Sequence, residues 1–241
     1  MKENRKFIII PAITIFYFVF NSFNFQYSVE RISMDFIVKT LENGKSVSLK
    51  GELYYLNSGN KMITHFSYPM EQLVVTNNLG QFKSYDIKKN IIIQDENKNY
   101  SSQLSYIYSF MSGKTQDMGL KALGYQQIDS KVDNKMIIST WQPSEGMQGA
   151  SKVILVHQNR QPIYMCFYNE KQKPEQKVYY SEFKTLGTIS IPMVITEFQY
   201  LAKGDSVITK RVYSNLHLNK EVNETYINYK IPANAKVIEQ K

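Results

Sequence analysis

From residue 34 onward the chain alternates. In SMDFIVKTL, Met34, Phe36 and Val38 stand against Asp35 and Lys39, and in SVSLKGELYYL the residues Val47, Leu49, Leu53 and Tyr55 keep the same two-residue step. That step puts apolar side chains on one face of a strand and polar ones on the other. Between the two runs lies ENGK, whose Asn43-Gly44 pair suits the two positive-φ positions of a type I′ turn. A hairpin is therefore expected. The pattern predicts further strands near 61–68, 71–76, 81–86, 90–94, 135–142, 152–158, 162–168, 176–184, 190–201 and 206–216, separated by NNLG, VDNK, HQNRQP, NEKQK and AKGD. Connections this short favour a meander of neighbouring antiparallel strands. No Pro/Gly/Ser-rich linker, low-complexity tract or internal repeat divides the chain after residue 30, so 26–241 is expected to form one domain.

One segment breaks the two-residue period. SSQLSYIYSFMSG, at 101–113, places Leu104, Ile107, Tyr108 and Met111 at helical spacing, with Ser101 or Ser102 as N-cap and Gly113 past the end. It reads as a short amphipathic helix, and its apolar stripe must lie on an apolar face of the sheet. TQDMGLKALG, following it, has room for another helical turn. Such a helix either plugs the end of a barrel or closes a cavity.

The first residues carry an address rather than a fold. Lys2, Arg5 and Lys6 precede FIIIPAITIFYFVF, fourteen residues without a charge, which is short for a bilayer span. Residues 1–25 read as a secretory signal peptide or as an N-terminal membrane anchor. The one cysteine, Cys166, lies inside a predicted strand, so there is no lipobox thiol to acylate and no internal disulfide. The formal charge of +8 is spread over turns, at Lys45, Lys88, Lys89, Lys171, Lys173 and Lys203, where it solvates hairpin tips. A basic stripe with interleaved aromatics, the footprint of nucleic-acid binding, is missing.

Motifs for chemistry are missing too. His65, His157 and His217 stand singly in predicted strands without a ligand partner two or four residues away, which argues against a metal site. The chain has no G-x-S-x-G, H-E-x-x-H, P-loop or G-x-G-x-x-G. No catalytic residue, metal or cofactor is expected, and Cys166 reads as a small buried apolar residue.

What remains is a surplus of broad apolar side chains. The chain holds 18 Tyr, 13 Phe and 10 Met. Residues 51–86, GELYYLNSGNKMITHFSYPMEQLVVTNNLGQFKSYD, concentrate them along three or four short strands punctuated by Gly51, Pro69 and Gly80. The order G-E-L-aromatic, polar break, alternating strand, P-x-x-Q-L-V-V, Gly turn and aromatic-x-x-Tyr-Asp resembles the bacterial outer-membrane lipoprotein carriers, the LolA/LolB-like family. FKTLGTISIPMVITEF suits one of its sheet strands, and SNLHLNKEVNETYINYKIPANAKVI is similar to its closing aromatic-rich strand. The resemblance spans roughly residues 33–238.

That resemblance implies a mainly β fold with some α: a strongly curved antiparallel sheet, or incomplete β-barrel, with a short helical lid over an apolar concave face. It implies a non-enzymatic, monomeric, periplasmic chaperone for transport. Such a carrier shields the acyl chains of lipoproteins or other lipids and exchanges them with inner- and outer-membrane partners. The rival function is a membrane-tethered regulatory or structural module that senses lipid with the same half-barrel. Candidate cavity residues are Phe36, Leu49, Leu53, Tyr55, Met62, Phe66, Leu73, Val75, Met165 and Phe167, under a lid of Leu104, Ile107, Tyr108 and Met111. Two departures mark a divergent member. Leu56, Asn57, Ser58 and Gly59 replace a basic residue and a proline, and NFQYSVERI leaves room for only a short first helix.

Overall fold

The computed structural model describes residues 29–97, 99, 101–201 and 204–239; residues 1–25, expected to be a signal peptide or membrane anchor, lie outside the described residues. Strands β1 (Arg31–Glu42) and β2 (Lys45–Leu56) form the expected hairpin. Asn43 and Gly44 turn it at φ 49° and 73°, the positive pair a type I′ turn needs. The meander continues through β3 (Lys61–Tyr68), β4 (Gln72–Thr76), β5 (Gln81–Asp86) and β6 (Ile91–Glu96). A 3₁₀ turn at Ser102–Leu104 and helix α1 (Tyr106–Met111) then interrupt the strands. A second meander follows: β7 (Tyr125–Asp133), β8 (Met136–Pro143), β9 (Lys152–Gln158), β10 (Gln161–Tyr168), β11 (Pro174–Leu186), β12 (Ile189–Tyr200) and β13 (Ser206–Leu218).

All these strands share one sheet, because β13 pairs antiparallel with β1 and so joins the two meanders. The last strand, β14 (Lys236–Glu239), runs parallel to β6, leaving β14 and β7 as the two edges of an unclosed fourteen-stranded sheet. Two elements differ from the sequence reading. β7 was not expected, and the aromatic-rich stretch 222–235 is not a strand but a strap of turns.

Alternation gives the sheet two apolar faces. The larger core gathers Ile32, Met34, Leu53, Tyr55, Trp141, Leu155, Val178 and Ile195 together with α1, and this face is called inner below. The smaller core, on the outer face of β2–β6, gathers Tyr54, Ile63, Leu73, Tyr85 and Ile92, covered by Val222, Tyr226, Tyr229 and Ile231 of the strap.

Gly51 is where the first meander draws tight. It sits between Phe36 of β1 and Phe66 of β3 in the register, and the two rings meet edge to face at 5.6 Å. A methyl group there would lie 1.9 Å from the His65 carbonyl oxygen and 2.9 Å from the Phe36 ring. The glycine thus lets β3 approach and leaves its space to flanking aromatics. Gly51→Ala is expected to cost about 1–3 kcal/mol, the range of overpacked interiors. Denaturant unfolding should show the lower midpoint, and an unchanged midpoint would mean that the backbone there is free to move.

Candidate functional site

Helix α1 has six residues, far fewer than an isolated helix needs to persist in water. Its conformation therefore depends on what it packs against. Ile107, Tyr108, Phe110 and Met111 are all nearly inaccessible. Tyr108 meets Tyr55 of β2 edge to face at 5.8 Å, while Phe110 meets Tyr180 and Phe183 of β11 at 5.1 and 6.1 Å. α1 thus touches strands separated by β1, β13 and β12 in the sheet. Few polar bonds hold it there. The Tyr108 hydroxyl donates to Asn60 Oδ1 at 3.0 Å, an acceptor that Tyr55 of β2 shares at 3.2 Å, and Tyr106 bonds Gln176; Ser102, ahead of the helix, donates to the Asn60 carbonyl at 3.3 Å.

Three members of the expected lid, Ile107, Tyr108 and Met111, come together over the inner core. Leu104 falls in the 3₁₀ turn that precedes α1, and its side chain lies outside the described residues. Phe110, outside the helical stripe, is as deeply placed as the others. Of the expected cavity residues, Phe36, Leu53, Tyr55, Met62 and Met165 are buried in the same cluster, with Leu49, Phe66 and Phe167 packed at its margin. Leu73 and Val75 are not brought to them. They pair with His65 and Ile63 and belong to the outer core. QLVVT is apolar at three consecutive positions, so its alternation carries no parity to read.

The inner face also holds charge that the sequence did not flag. Arg211 of β13 donates from Nη1 to Glu197 Oε2 at 2.8 Å, and Gln176 of β11 donates to Glu197 Oε1 at 2.5 Å. Both charged side chains are largely covered, at 29% and 15% exposure. They line a pocket of about 280 Å³ beside α1, with Tyr106, Ile107, Ile195 and Tyr213. Burial raises the Tyr106 phenol above its ordinary range, with Glu197 adding to the effect and Arg211 opposing it. Tyr180 is pushed well above that range for the same reasons, burial first.

On the outer face a groove of about 530 Å³ runs between the strap and β3–β5, lined by Ile63, Leu73, Val75, Tyr226, Lys61 and Lys83 among others. Beside it the buried His65 ring stacks on Tyr226 at 3.8 Å. Its two nitrogens lie 4.0 and 3.7 Å from Glu52 and Glu71 and have no hydrogen-bond partner among the described residues. Arg31 pairs with Glu224 and pins the strap. His157 bonds the Thr115 carbonyl at 3.0 Å, and His217 faces Glu221 at 3.9 Å. Among the described residues no group of three or more His, Cys, Asp or Glu is placed to hold a metal ion. Nor is any helix among them long and apolar enough to cross a membrane.

No protein-family model and no curated protein matches the sequence. Solved structures do match the fold. A domain assigned to outer membrane lipoprotein sorting from Vibrio parahaemolyticus superposes with TM-score 0.57 at 12% identity, over 84% of this chain and 91% of that one. A LolA-superfamily protein from Nitrosomonas europaea gives 0.54 at 12% identity, over 83% and 91%. A DUF1329-family protein from Desulfovibrio piger gives 0.56 at 12% identity, over 91% and 98%. The fold is LolA-like.

Within this LolA-like sheet the inner face offers broad apolar surface, a few hydroxyls and one compensated ion pair. Its hydroxyls also report on the packing. Burial holds Tyr55 and Tyr213 up to about 12, against an ordinary value near 10, with Tyr108 adding to the effect at Tyr55. Unfolding exposes both, so between these values the unfolded chain has released protons that the folded chain keeps. Stability is therefore full below about pH 10 and falls as pH rises through about 12. Denaturant midpoints measured across that window should be level and then drop, and a midpoint level throughout would contradict the burial of these phenols.

Proposed function

We propose that the chain is a periplasmic carrier that shields the acyl chains of lipoproteins or other acylated envelope molecules in transit to the outer membrane. One observation carries the reading: in a LolA-like fold, a helix too short to stand alone is seated on the apolar inner face almost entirely by side-chain packing. The physical demand is plain. Each acyl methylene left in water costs about 0.8 kcal/mol, so a chain crossing an aqueous space needs an apolar cover. Tyr, Phe and Met supply one that repacks around chains of different length.

In this reading the sheet curves as an incomplete barrel about α1, and α1 is the lid. Ile107, Tyr108 and Met111 close the site when it is empty and swing away to admit cargo. A lid has to come from the less stable end of a structure, and a six-residue helix held by a Tyr108–Asn60 bond, a Tyr106–Gln176 bond and aromatic edges meets that condition. The export segment 1–25 delivers residues 26–241, acting as one monomeric domain, to the compartment between the two membranes. Inner- and outer-membrane partners then serve as donor and acceptor. The Vibrio parahaemolyticus domain, assigned to lipoprotein sorting, supports extending that cargo class to this chain.

Two measurements test the proposal. Binding of acyl probes should strengthen with chain length by roughly fourfold per methylene while the site still has room, the equivalent of about 0.8 kcal/mol. Equal affinity for short and long chains would remove it. The Ile107→Ser/Met111→Ser double variant should stay folded, melt somewhat lower and release a bound acyl chain faster. A loss of several kcal/mol would instead mark these residues as plain core, and unchanged release from a stable variant would show that α1 is no lid.

A further inference from the structure

The Tyr180 hydroxyl is the odd group on the inner face. Its side chain is 3% exposed and the oxygen has no hydrogen-bond partner among the described residues. An orphaned buried hydroxyl is costly, and a phenylalanine would fill the same space without that cost. Tyr180 is also not isolated from polar chemistry. Tyr106, Glu197 and Arg211 all act on its hydroxyl electrostatically, and Tyr106 stands over it with ring centres 6.3 Å apart. The register explains the grouping, since Tyr180 pairs with Ile195 and Ile195 with Arg211, placing all three in one row across β11, β12 and β13.

We propose that this cluster, Tyr180 with Arg211, Glu197 and Tyr106, is a recognition site for the carbonyl of an ester- or amide-linked acyl chain. The site distinguishes acylated molecules from free fatty acids. It deepens the carrier reading and rests on it. Tyr106 and Phe110, whose rings cover Tyr180, both belong to α1. Movement of that helix therefore uncovers the orphan hydroxyl at the moment an acyl chain enters. A carbonyl oxygen arriving there accepts from Tyr180, and from guanidinium N–H groups of Arg211 beyond the one given to Glu197.

Charge decides between carbonyl and carboxylate. Arg211 already has its counter-ion in Glu197, so the cluster is close to neutral. A free carboxylate placed here would face Glu197 as a like charge beside a partly covered ion pair, whereas an ester or amide carbonyl brings none. The same cluster with glutamine at position 197 would offer an unpaired guanidinium and should welcome an anion.

The test uses the full chain and displacement of the apolar dye Nile red by three ligands of equal chain length: tetradecane, methyl tetradecanoate and tetradecanoate. Tyr180→Phe keeps the ring contacts and removes the donor. It should lower the ratio of ester to hydrocarbon affinity roughly five- to tenfold while leaving tetradecane unchanged. Glu197→Gln should narrow the gap between ester and carboxylate by a similar factor. An ester-to-hydrocarbon ratio that Tyr180→Phe leaves intact overturns the inference, even where every ligand binds. Failure of all three ligands to displace the dye or to bind overturns the carrier reading itself, and this inference with it.

Discussion

A sheet with two apolar faces cannot stand in water until both are covered, and two short segments of this chain do the covering. Helix α1, with Met118 and Leu120 in the turns after it, packs on the inner face, and the strap 222–235 packs on the outer face of β2–β6. The two covers are built differently. The strap is fixed by an ion pair between Arg31 and Glu224, a histidine–tyrosine stack and the parallel strand β14 that follows it. α1 has no side-chain cap and no ion pair of its own among the described residues, and its position follows from aromatic edges on β2 and β11 and from Tyr106 beside Gln176, Glu197 and Arg211. The proposed opening of the inner face rests on that asymmetry.

Much of this was legible from residues alone, where a strand has one wet face. The β1–β2 hairpin follows from the alternation of Met34, Phe36 and Val38 and of Val47, Leu49, Leu53 and Tyr55 and from an Asn-Gly turn, and its register pairs Met34 with Leu53 and Val38 with Leu49. Parity fails where both faces are apolar, which is why Leu73 and Val75 read as inner residues and lie on the outer face. It also fails where neither face is. Strand β7, YQQIDSKVD, is buried only at Tyr125, so no apolar alternation announces it. The resemblance implied a closing aromatic-rich strand within 214–238, but residues 222–235 form a strap whose rings face the sheet, and only Lys236–Glu239 follow as a strand.

The polar cluster on the inner face could not be read in sequence at all. Glu197 and Arg211 sit in strands that look like any others with a solvated charge, and Tyr180 is one tyrosine among 18. Only the register of β11, β12 and β13 brings them beside α1. Burying an ion pair and an unsatisfied hydroxyl in an apolar face does not favour stability, because replacing such groups with apolar ones is often neutral or better. The proposed carbonyl site gives these groups a role that fold stability does not.

Amide hydrogen exchange of the full chain, with and without saturating methyl tetradecanoate, tests most directly whether the face under α1 is where an acyl chain goes. Exchange across residues 102–120 and the facing strands β2 and β11 should change on binding, while the strap at 222–235 and strands β4–β5 keep their free-state rates. Protection confined to the strap and β3–β5, or no change anywhere, would contradict an acyl site beneath α1.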